Sequence, residues 1–163
     1  LTGLLNRSAG LRSIKNALAK ANKNGGPGAF LIFDLDDFKQ VNDRYGHLAG
    51  DRALIESAER LARSFRANDI VCRWGGDEFV VYCSGVERKT AENKAIEICA
   101  DRWAIDLPDG QTLKLSVTAG IALVPEGGFE LTELYRRADD ALYEAKDEGK
   151  GRFSIYGNGE RRA

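Results

Sequence analysis

Acidic side chains stand at two places where predicted strands begin or end. Asp34 closes a short apolar run at residues 29–33, and Asp77 and Glu78 follow a Gly-Gly pair between two further apolar runs. Adjacent carboxylates repel each other and raise each other's pKa unless a cation lies between them. Carboxylate oxygens suit a hard ion such as Mg²⁺, which keeps positions open for substrate phosphates. The pattern therefore favours metal-assisted chemistry on a phosphorylated substrate.

Each acidic segment also has a purely structural interpretation. Residues 34–37 precede a predicted short helix, where acidic side chains satisfy free N–H groups and the helix dipole. Asp77 and Glu78 alone would suit a solvated hairpin tip. However, a split βαβ sheet can pair its first strand with a strand of the hairpin. We therefore expect Asp34 and Asp77 to meet at one edge of a sheet.

Basic side chains near these segments could bind phosphate. Lys39 lies just inside the short helix, whose N-terminal N–H groups could cradle a phosphate group with help from the lysine charge. Lys146 lies near the end of the last predicted helix, and Lys150 follows it. Taken one at a time, each of these lysines is equally consistent with an exposed surface residue.

Five further polar or charged residues could contact a nucleotide: three that follow Lys39, and an Arg and an Asp that precede the hairpin. Asn42 and Asp51 could hydrogen-bond a purine edge, although capping or turn roles fit their residue types equally well. His47, the single histidine, suits packing or a loop hydrogen bond. Arg66 and Asp69 stand three residues apart, a combination that is also common where a helix ends and a strand begins.

Hydrophobic periodicity predicts an alternation of helices and strands around these residues. We expect helices at residues 6–24 (with Ser8 as the cap), 36–45, 52–65, 88–105 and 131–146, and strands at residues 29–33, 69–74, 79–83, 113–119 and, as a last edge strand, 153–156. Gly46 and Gly50 are expected to bracket a loop. The centre of this order is βαββαβ, which predicts an α+β, ferredoxin-like sheet with additional helices.

Composition limits the class of protein. The 163 residues suit one domain, and 24 basic against 25 acidic residues argue against a domain that coats nucleic acid. No apolar run approaches the roughly 20 residues of a membrane span. The cysteines, which lack CxxC spacing and fit buried thiols in a reducing cytoplasm, are Cys72, Cys83 and Cys99. Because the chain begins with Leu1 and contains no methionine, we expect a piece of a longer protein that itself could be membrane-anchored.

The motifs together resemble the GGDEF family of diguanylate cyclases. Residues 73–79 (RWGGDEF) match the motif that names the family, and residues 1–7 (LTGLLNR) match its opening motif without the Asp that usually precedes it. The segments 33–43, 45–51 and 138–146 match three further motifs. The likeness runs from residue 1 to about residue 152, and several ordered motifs make it specific.

The resemblance implies a fold, an activity and partners. The fold would be nucleotidyl-cyclase-like or polymerase-palm-like, with the catalytic domain at residues 1–156 and a tail or linker at 157–163. The activity would be condensation of two GTP molecules into cyclic di-GMP with release of two pyrophosphates. Each domain would bind one GTP and work in a homodimer, with an upstream sensory or regulatory domain in the longer protein. No nucleic acid and no membrane segment are expected.

The resemblance also assigns roles to the acidic residues. Asp34, Asp77 and the Leu35 carbonyl would hold Mg²⁺, or Mn²⁺ as an alternative. Glu78 would assist in metal binding or remove the proton of the attacking 3′-hydroxyl. Asp77 and Glu78, together with Lys39, would be the catalytic residues.

Substrate contacts follow from the same motifs. Phosphates would be bound by lysines and by backbone N–H groups, the guanine edge would be read by polar side chains, and two glycines would allow the nucleotide to approach the backbone. The phosphate contacts are Lys39, Lys146, Lys150 (where many members carry arginine), Asp37 and Phe38; the guanine contacts are Asn42, Asp51 and the nearby His47; the glycines are Gly75 and Gly76.

Arg66 and Asp69 coincide with the RxxD site at which cyclic di-GMP inhibits members of this family. Arg66 would grip a phosphate or guanine of the product. A second arginine that often completes this site has no counterpart, because Asn93, Lys94 and Glu97 occupy that region. We therefore expect weaker or differently arranged inhibition.

Two other functions remain open at this point. The first is a catalytically silent module that binds GTP or cyclic di-GMP and signals to a neighbouring domain; such members usually lose acidic core residues, which this chain retains. The second is an RNA-binding ferredoxin-like module, which would need exposed aromatic residues and a basic surface. The net charge of −1 disfavours it.

Overall fold

The computed structural model describes residues 1–100 and 102–157, which form five helices and seven strands. The helices are α1 (Arg7–Asn24), α2 (Phe38–Tyr45), α3 (His47–Ser64), α4 (Arg88–Cys99) and α5 (Leu131–Asp147); the strands are β1 (Gly28–Leu35), β2 (Ile70–Gly75), β3 (Glu78–Ser84), β4 (Trp103–Asp106), β5 (Thr112–Leu115), β6 (Val117–Val124) and β7 (Phe153–Ile155). The predicted tail lies outside the described residues from residue 158 onward. No described helix has both the length and the apolar content of a membrane span.

The main sheet has the strand order β2-β3-β1-β6-β7. Strand β1 runs antiparallel to both of its neighbours, β3 and β6, and β7 is parallel to β6 at the edge. The first four positions are the order of a βαββαβ sheet, in which the hairpin inserts beside the first strand. The predicted α+β, ferredoxin-like architecture and the predicted edge strand are therefore confirmed.

Helices cover both faces of the sheet. Alternate residues of β1 point to opposite faces: Leu31 and Phe33 join a core that includes residues of α3 and α4, whereas Phe30 and Ile32 join a core with α1 and α5. A strand that is buried on both faces reads as a continuous apolar run. This explains why residues 29–33 carry no polar alternation.

The region after α4 differs from the prediction. The predicted helix at 88–105 ends at Cys99, and β4 follows it with buried Trp103 and Ile105 alternating with exposed neighbours. The predicted strand at 113–119 is two strands, because the chain leaves the β4–β5 ribbon at Ser116 and enters the main sheet as β6. A two-stranded ribbon thus stands where a longer helix and a single strand were expected.

Two helix starts also differ from the prediction. Asn6 caps α1 by accepting a hydrogen bond from the Ala9 amide at 2.9 Å, so the cap is not Ser8. The second helix begins at Phe38 rather than at residue 36, with Asp37 in the left-handed region at the cap position. The later start of α2 leaves residues 34–36 outside the helix, while the Asp37 carbonyl accepts from the Gln40 and Val41 amides.

The predicted loop between Gly46 and Gly50 is helical. Helix α3 begins at His47, directly after Gly46 with its φ of 84°. Gly50 faces α2 so closely that a Cβ would lie 1.9 Å from the Asn42 side-chain oxygen. Gly50 therefore allows two helices to approach each other and does not break a helix.

The three cysteines, Cys72, Cys83 and Cys99, are buried free thiols, as expected. Burial raises the pKa of Cys72 to about 11 and that of Cys99 to about 12. They are core residues.

Substituting Gly120 with alanine should severely destabilise this fold. A Cβ at Gly120 would lie 2.0 Å from the Ala138 carbonyl oxygen and 2.4 Å from the Leu142 nitrogen, both backbone atoms of α5. We expect Gly120→Ala to lower the free energy of unfolding by about 3 kcal/mol or more, because α5 must move off β6. Urea denaturation measures this loss. Gly26→Ala, with no atom within 4 Å of its Cβ, is the control; equal stabilities would contradict the packing.

Candidate functional site

The register between β1 and β3 brings the predicted acidic residues together. Asp34 stands directly opposite Glu78, and the Leu35 amide donates to the Asp77 carbonyl oxygen at 3.2 Å. We call Asp34, Asp77 and Glu78 the carboxylate edge. The predicted meeting of Asp34 and Asp77 at one end of the sheet is confirmed, with Asp77 among the charges that act on Asp34.

A tight hairpin turn positions Asp77. Strand β2 ends at Gly75 and β3 begins at Glu78, so the turn residues are Gly76 and Asp77 rather than the two glycines. Of the two glycines only Gly76 needs a positive φ, which is 52°. The Arg73 guanidinium donates two hydrogen bonds to the Gly76 carbonyl oxygen, at 3.0 and 2.8 Å. Arg73 thus supports the turn. It lies in the motif at residues 73–79, but the sequence analysis assigned it no role.

Lys146 forms an ion pair with Asp34 of the carboxylate edge. Its ammonium lies 3.0 Å from Asp34 Oδ2, and only 15% of the Asp34 side chain is exposed. Burial first, and then the charge of Asp77, raise the pKa of Asp34 to about 6, while Lys146 opposes that rise. Lys146 was predicted at the substrate phosphates; here it balances the carboxylate beside which those phosphates would bind.

Glu78 is held by a tyrosine that the sequence analysis did not identify. Tyr135 of α5 donates a 2.6 Å hydrogen bond to Glu78 Oε1. Burial raises the pKa of Glu78, as do the charges of Asp139 and Asp77, whereas the Tyr135 bond lowers it. Tyr135 lies 57 residues away in sequence, and a tyrosine in an amphipathic helix carries no local signal of such a contact.

Asp36 is a buried hydrogen-bonding junction. Its carboxylate accepts hydrogen bonds from the Ser116 and Thr118 hydroxyls, both at 2.7 Å, and from the Gly151 amide at 3.1 Å. It is 5% exposed. These bonds fasten the segment after β1 to β6 and to the loop that carries Lys150.

That loop and the start of α2 are joined by an ion pair. Lys150 lies 2.6 Å from Asp37, and these two are the described non-glycine residues with positive φ, at 61° and 57°. The Asp37 side chain makes no capping bond, so the first amides of α2 keep their hydrogen-bonding capacity. Phe38 is half-buried and Lys39 is exposed beside them. The first amides of α2 therefore lie beside the Lys150–Asp37 pair and are followed in sequence by Lys39, a combination that suits a phosphate site.

The three residues predicted to read guanine lie along α2 and α3. Asn42 contacts Gly50 where the two helices meet. His47 and Asp51 are exposed and four residues apart on α3, and so lie on one side of that helix. Their positions leave a guanine-reading role as a prediction.

The donors at the carboxylate edge fit a hard divalent ion. Within residues 1–100 and 102–157, no three Asp, Glu, His or Cys side chains converge closely enough to hold a metal by themselves. Mg²⁺ typically takes one or two protein carboxylates and completes its shell with water and substrate phosphates. Asp34, Asp77 and the neighbouring Leu35 backbone offer oxygen donors of that kind, which also suit Mn²⁺.

Arg66 and Asp69 belong to a separate cavity. The Arg66 amide donates to Asp69 at 2.8 Å, and both residues line a cavity of about 300 Å³ together with Lys94 and Cys83. Ala29 also lines it, five residues before Asp34 on the same strand. At about 3.3 Å per residue the two sites are about 17 Å apart.

Nearly the whole chain is similar to known proteins. A family described as "Diguanylate cyclase, GGDEF domain" matches residues 1–152. Diguanylate cyclase TpbB of Pseudomonas aeruginosa is 40% identical over 156 residues, which are 93% of this chain and 35% of that protein. Cyclic di-GMP phosphodiesterase PdeR of Escherichia coli is 37% identical over 159 residues, 96% of this chain and 23% of that protein.

A solved structure agrees with these sequence matches. The crystal structure of the GGDEF domain of TpbB, also named YfiN, from Pseudomonas aeruginosa superposes with a TM-score of 0.91 at 38% identity. The match covers 96% of this chain and 98% of that domain. By contrast, the chain spans only about a quarter to a third of the two curated proteins named above.

The raised pKa of Asp34 predicts a pH-dependent contribution to stability without metal. The folded chain keeps this proton up to about pH 6, whereas an ordinary aspartate loses it near 3.8. Stability is therefore lost as the pH rises through this window, by up to about 3 kcal/mol. In urea denaturation with a chelator, the free energy of unfolding of Asp34→Asn should rise relative to that of the parent between about pH 4 and pH 7. Above that range the difference between the two should stay constant. Asp43→Asn removes an exposed carboxylate as the control; a pH-independent difference for Asp34→Asn would contradict the assignment.

Proposed function

The chain belongs to the GGDEF family of diguanylate cyclase domains, and from that membership we propose that it condenses two GTP molecules into cyclic di-GMP. The supporting observation is the carboxylate edge, where Asp34 and Glu78 stand opposite each other and Asp77 lies in the β2–β3 turn directly before Glu78. A family match alone would not favour activity, because silent members exist. An intact set of acidic groups at one sheet edge does favour it.

Asp34, Asp77 and the Leu35 carbonyl would hold Mg²⁺ or Mn²⁺. When bound, such an ion neutralises triphosphate charge and favours the ionised form of an attacking hydroxyl. Glu78 would accept the proton of that 3′-hydroxyl. The raised pKa of Glu78 suits this task, because a general base works best when its pKa approaches the working pH.

The phosphates would lie between α2 and the loop after α5. Lys39 and the first amides of α2 approach from one side, and Lys150 approaches from the other through its pair with Asp37. Lys146 would move between Asp34 and a phosphate oxygen, since both offer negative charge. Asn42, Asp51 and His47 would contact guanine, and Gly75 and Gly76 would leave room for the nucleotide.

The reaction needs two copies of the domain. Each 3′-oxygen attacks the α-phosphorus of the other GTP, so that two new O–P bonds form and two pyrophosphates leave, while the two hydroxyl protons pass to the bases. One domain supplies one nucleotide and one carboxylate edge. A homodimer with facing edges completes the site, and most of the catalysis is positioning and charge stabilisation.

The cavity at Arg66 and Asp69 would bind the product and inhibit turnover. Its turn is pre-formed by the reciprocal bonds between these residues, the second of which runs from the Asp69 amide to the Arg66 carbonyl at 3.0 Å. Lys94 projects into the same cavity, although it pairs with Glu97 at 2.9 Å. We propose that Lys94 replaces the usual second arginine, with a weaker grip because it offers a single charge point.

A regulatory role without turnover is the second candidate. It is favoured by the relative PdeR, which is named as a phosphodiesterase and yet contains a region similar to 96% of this chain. Such a module would bind GTP or cyclic di-GMP and act on a neighbouring domain. Because the chain spans a minor part of its relatives, we propose that it is one cytoplasmic module of a longer protein with a sensory domain.

Turnover by a dimeric form of the chain tests the proposed activity. We expect a coiled-coil-fused dimer with GTP and Mg²⁺ to release pyrophosphate and cyclic di-GMP. Asp77→Ala and Glu78→Ala should each lower kcat by about 100-fold or more while the fold is retained, because metal binding and base catalysis are lost. Glu59→Ala, at an exposed position of α3, is the matched control. GTP binding without turnover in the parent would support the regulatory alternative instead.

Product inhibition gives an independent test of the second cavity. Arg66→Ala should raise the inhibitory concentration of cyclic di-GMP by about tenfold or more, because a charge-assisted hydrogen bond is lost. Lys94→Ala should have a smaller effect of the same sign. KM for GTP should stay unchanged, because the cavity is distant from the carboxylate edge. Arg63→Ala, three residues earlier and exposed, is the control. Unaltered inhibition in Arg66→Ala would refute the assignment.

A further inference from the structure

We propose that Tyr135 is a positioning residue for Glu78: its hydroxyl fixes one carboxylate oxygen so that the other faces the reacting hydroxyl. The inference rests on the proposed function, because it gives Glu78 the role of the base. It adds a tyrosine from α5 to a site whose acidic residues come from β1 and the β2–β3 hairpin.

The contact is short and specific. The Tyr135 hydroxyl lies 2.6 Å from Glu78 Oε1, within the range of a charge-assisted O–H···O⁻ bond. Among the residues that the structure describes, this is the one hydrogen bond found for the Glu78 side chain. The bond therefore occupies Oε1 and leaves Oε2 available.

The tyrosine ring is itself held in place. It stacks on Trp74 with ring centres 5.6 Å apart and an interplanar angle of 21°. It also meets Phe30 edge-on at 6.4 Å and 70°. The Arg7 guanidinium lies 5.1 Å from the centre of the Trp74 ring on which Tyr135 stacks. Aromatic pairs of this geometry restrict ring motion, so the hydroxyl is presented at a fixed point.

Glu78 needs such a restraint. Its charge is repelled by Asp77 and Asp139, and a glutamate side chain loses considerable rotamer entropy when it is held in one conformation. Without a partner, the carboxylate would turn toward solvent and away from the other acidic groups. Tyr135 counteracts this with a hydrogen bond made beside Trp74 and Gly75, which line a cleft of about 430 Å³ together with Tyr135 and Glu78.

Removal of the hydroxyl alone tests the proposal. In the dimeric chain, Tyr135→Phe keeps the ring on Trp74 and should lower kcat by about 10- to 100-fold, because misplacement of a catalytic group by about 1 Å costs up to that much. KM for GTP, the affinity for a non-cyclising GTP analogue with Mg²⁺, and Tm should all stay close to the parent values. A merely structural role would change Tm or nucleotide affinity instead.

Tyr156→Phe, after β7 and outside the site, is the matched control and should leave kcat unchanged. Parental kcat in Tyr135→Phe would overturn the inference while leaving the proposed function intact, as would a fall in kcat fully matched by weaker analogue binding. A parent without turnover would count against the proposed function. In that case the crystal structure of Tyr135→Phe decides: a displaced Glu78 carboxylate supports the inference, and an unmoved one overturns it.

Discussion

The antiparallel register of β1 and β3 is the constraint on which the site depends. Strand β1 is paired on both sides, with Asp34 opposite Glu78 on one neighbour and Thr118 on the other. A slip of one residue would exchange its two buried faces, which pack into different cores. Phe33 opposite Phe79 illustrates how apolar pairs fix the register immediately before the acidic pair. The hydrophobic core thus determines where the carboxylates meet.

That meeting point is electrostatically unfavourable in isolation, and the fold compensates for it only in part. Lys146 supplies a positive charge to Asp34, and Tyr135 supplies a hydrogen bond to Glu78. Even so, the pKa of Asp34 stays near 6, since burial and Asp77 outweigh the lysine. A carboxyl group whose pKa is raised by burial and by a neighbouring charge is characteristic of functional sites. The carboxylate edge therefore brings three acidic groups together with the lysine Lys146.

The features that could be predicted from the sequence are those in which buried positions produce a regular pattern of apolar residues. The apolar run of β1, the period of α1 and α5, and the topology that joins Asp34 to Asp77 all follow from local pattern plus one architectural rule. Strand β4 was missed because it has only four residues with alternating burial. So short a pattern is a weak strand signal next to the helical pattern of the residues before it. Gly50 was predicted to lie in a loop because glycine is common where helices end. The sequence does not distinguish such a glycine from one that lets a neighbouring helix approach closely, which is the role of Gly50. The Tyr135 contact spans 57 residues, and only tertiary packing determines it.

Helix α5 shows why core and site cannot be separated in this fold. Tyr135, Asp139 and Lys146 follow one another at intervals of four and seven residues, which places them along one side of the helix. They reach the carboxylate edge because the α5 backbone lies directly on β6, at a point where Gly120 has no side chain to hold it away. The same close approach buries Leu142 and Ala138 in the core. The packing of α5 on β6 therefore positions both the Tyr135 hydroxyl beside Glu78 and the Lys146 ammonium beside Asp34. Any change in that packing shifts both side chains together.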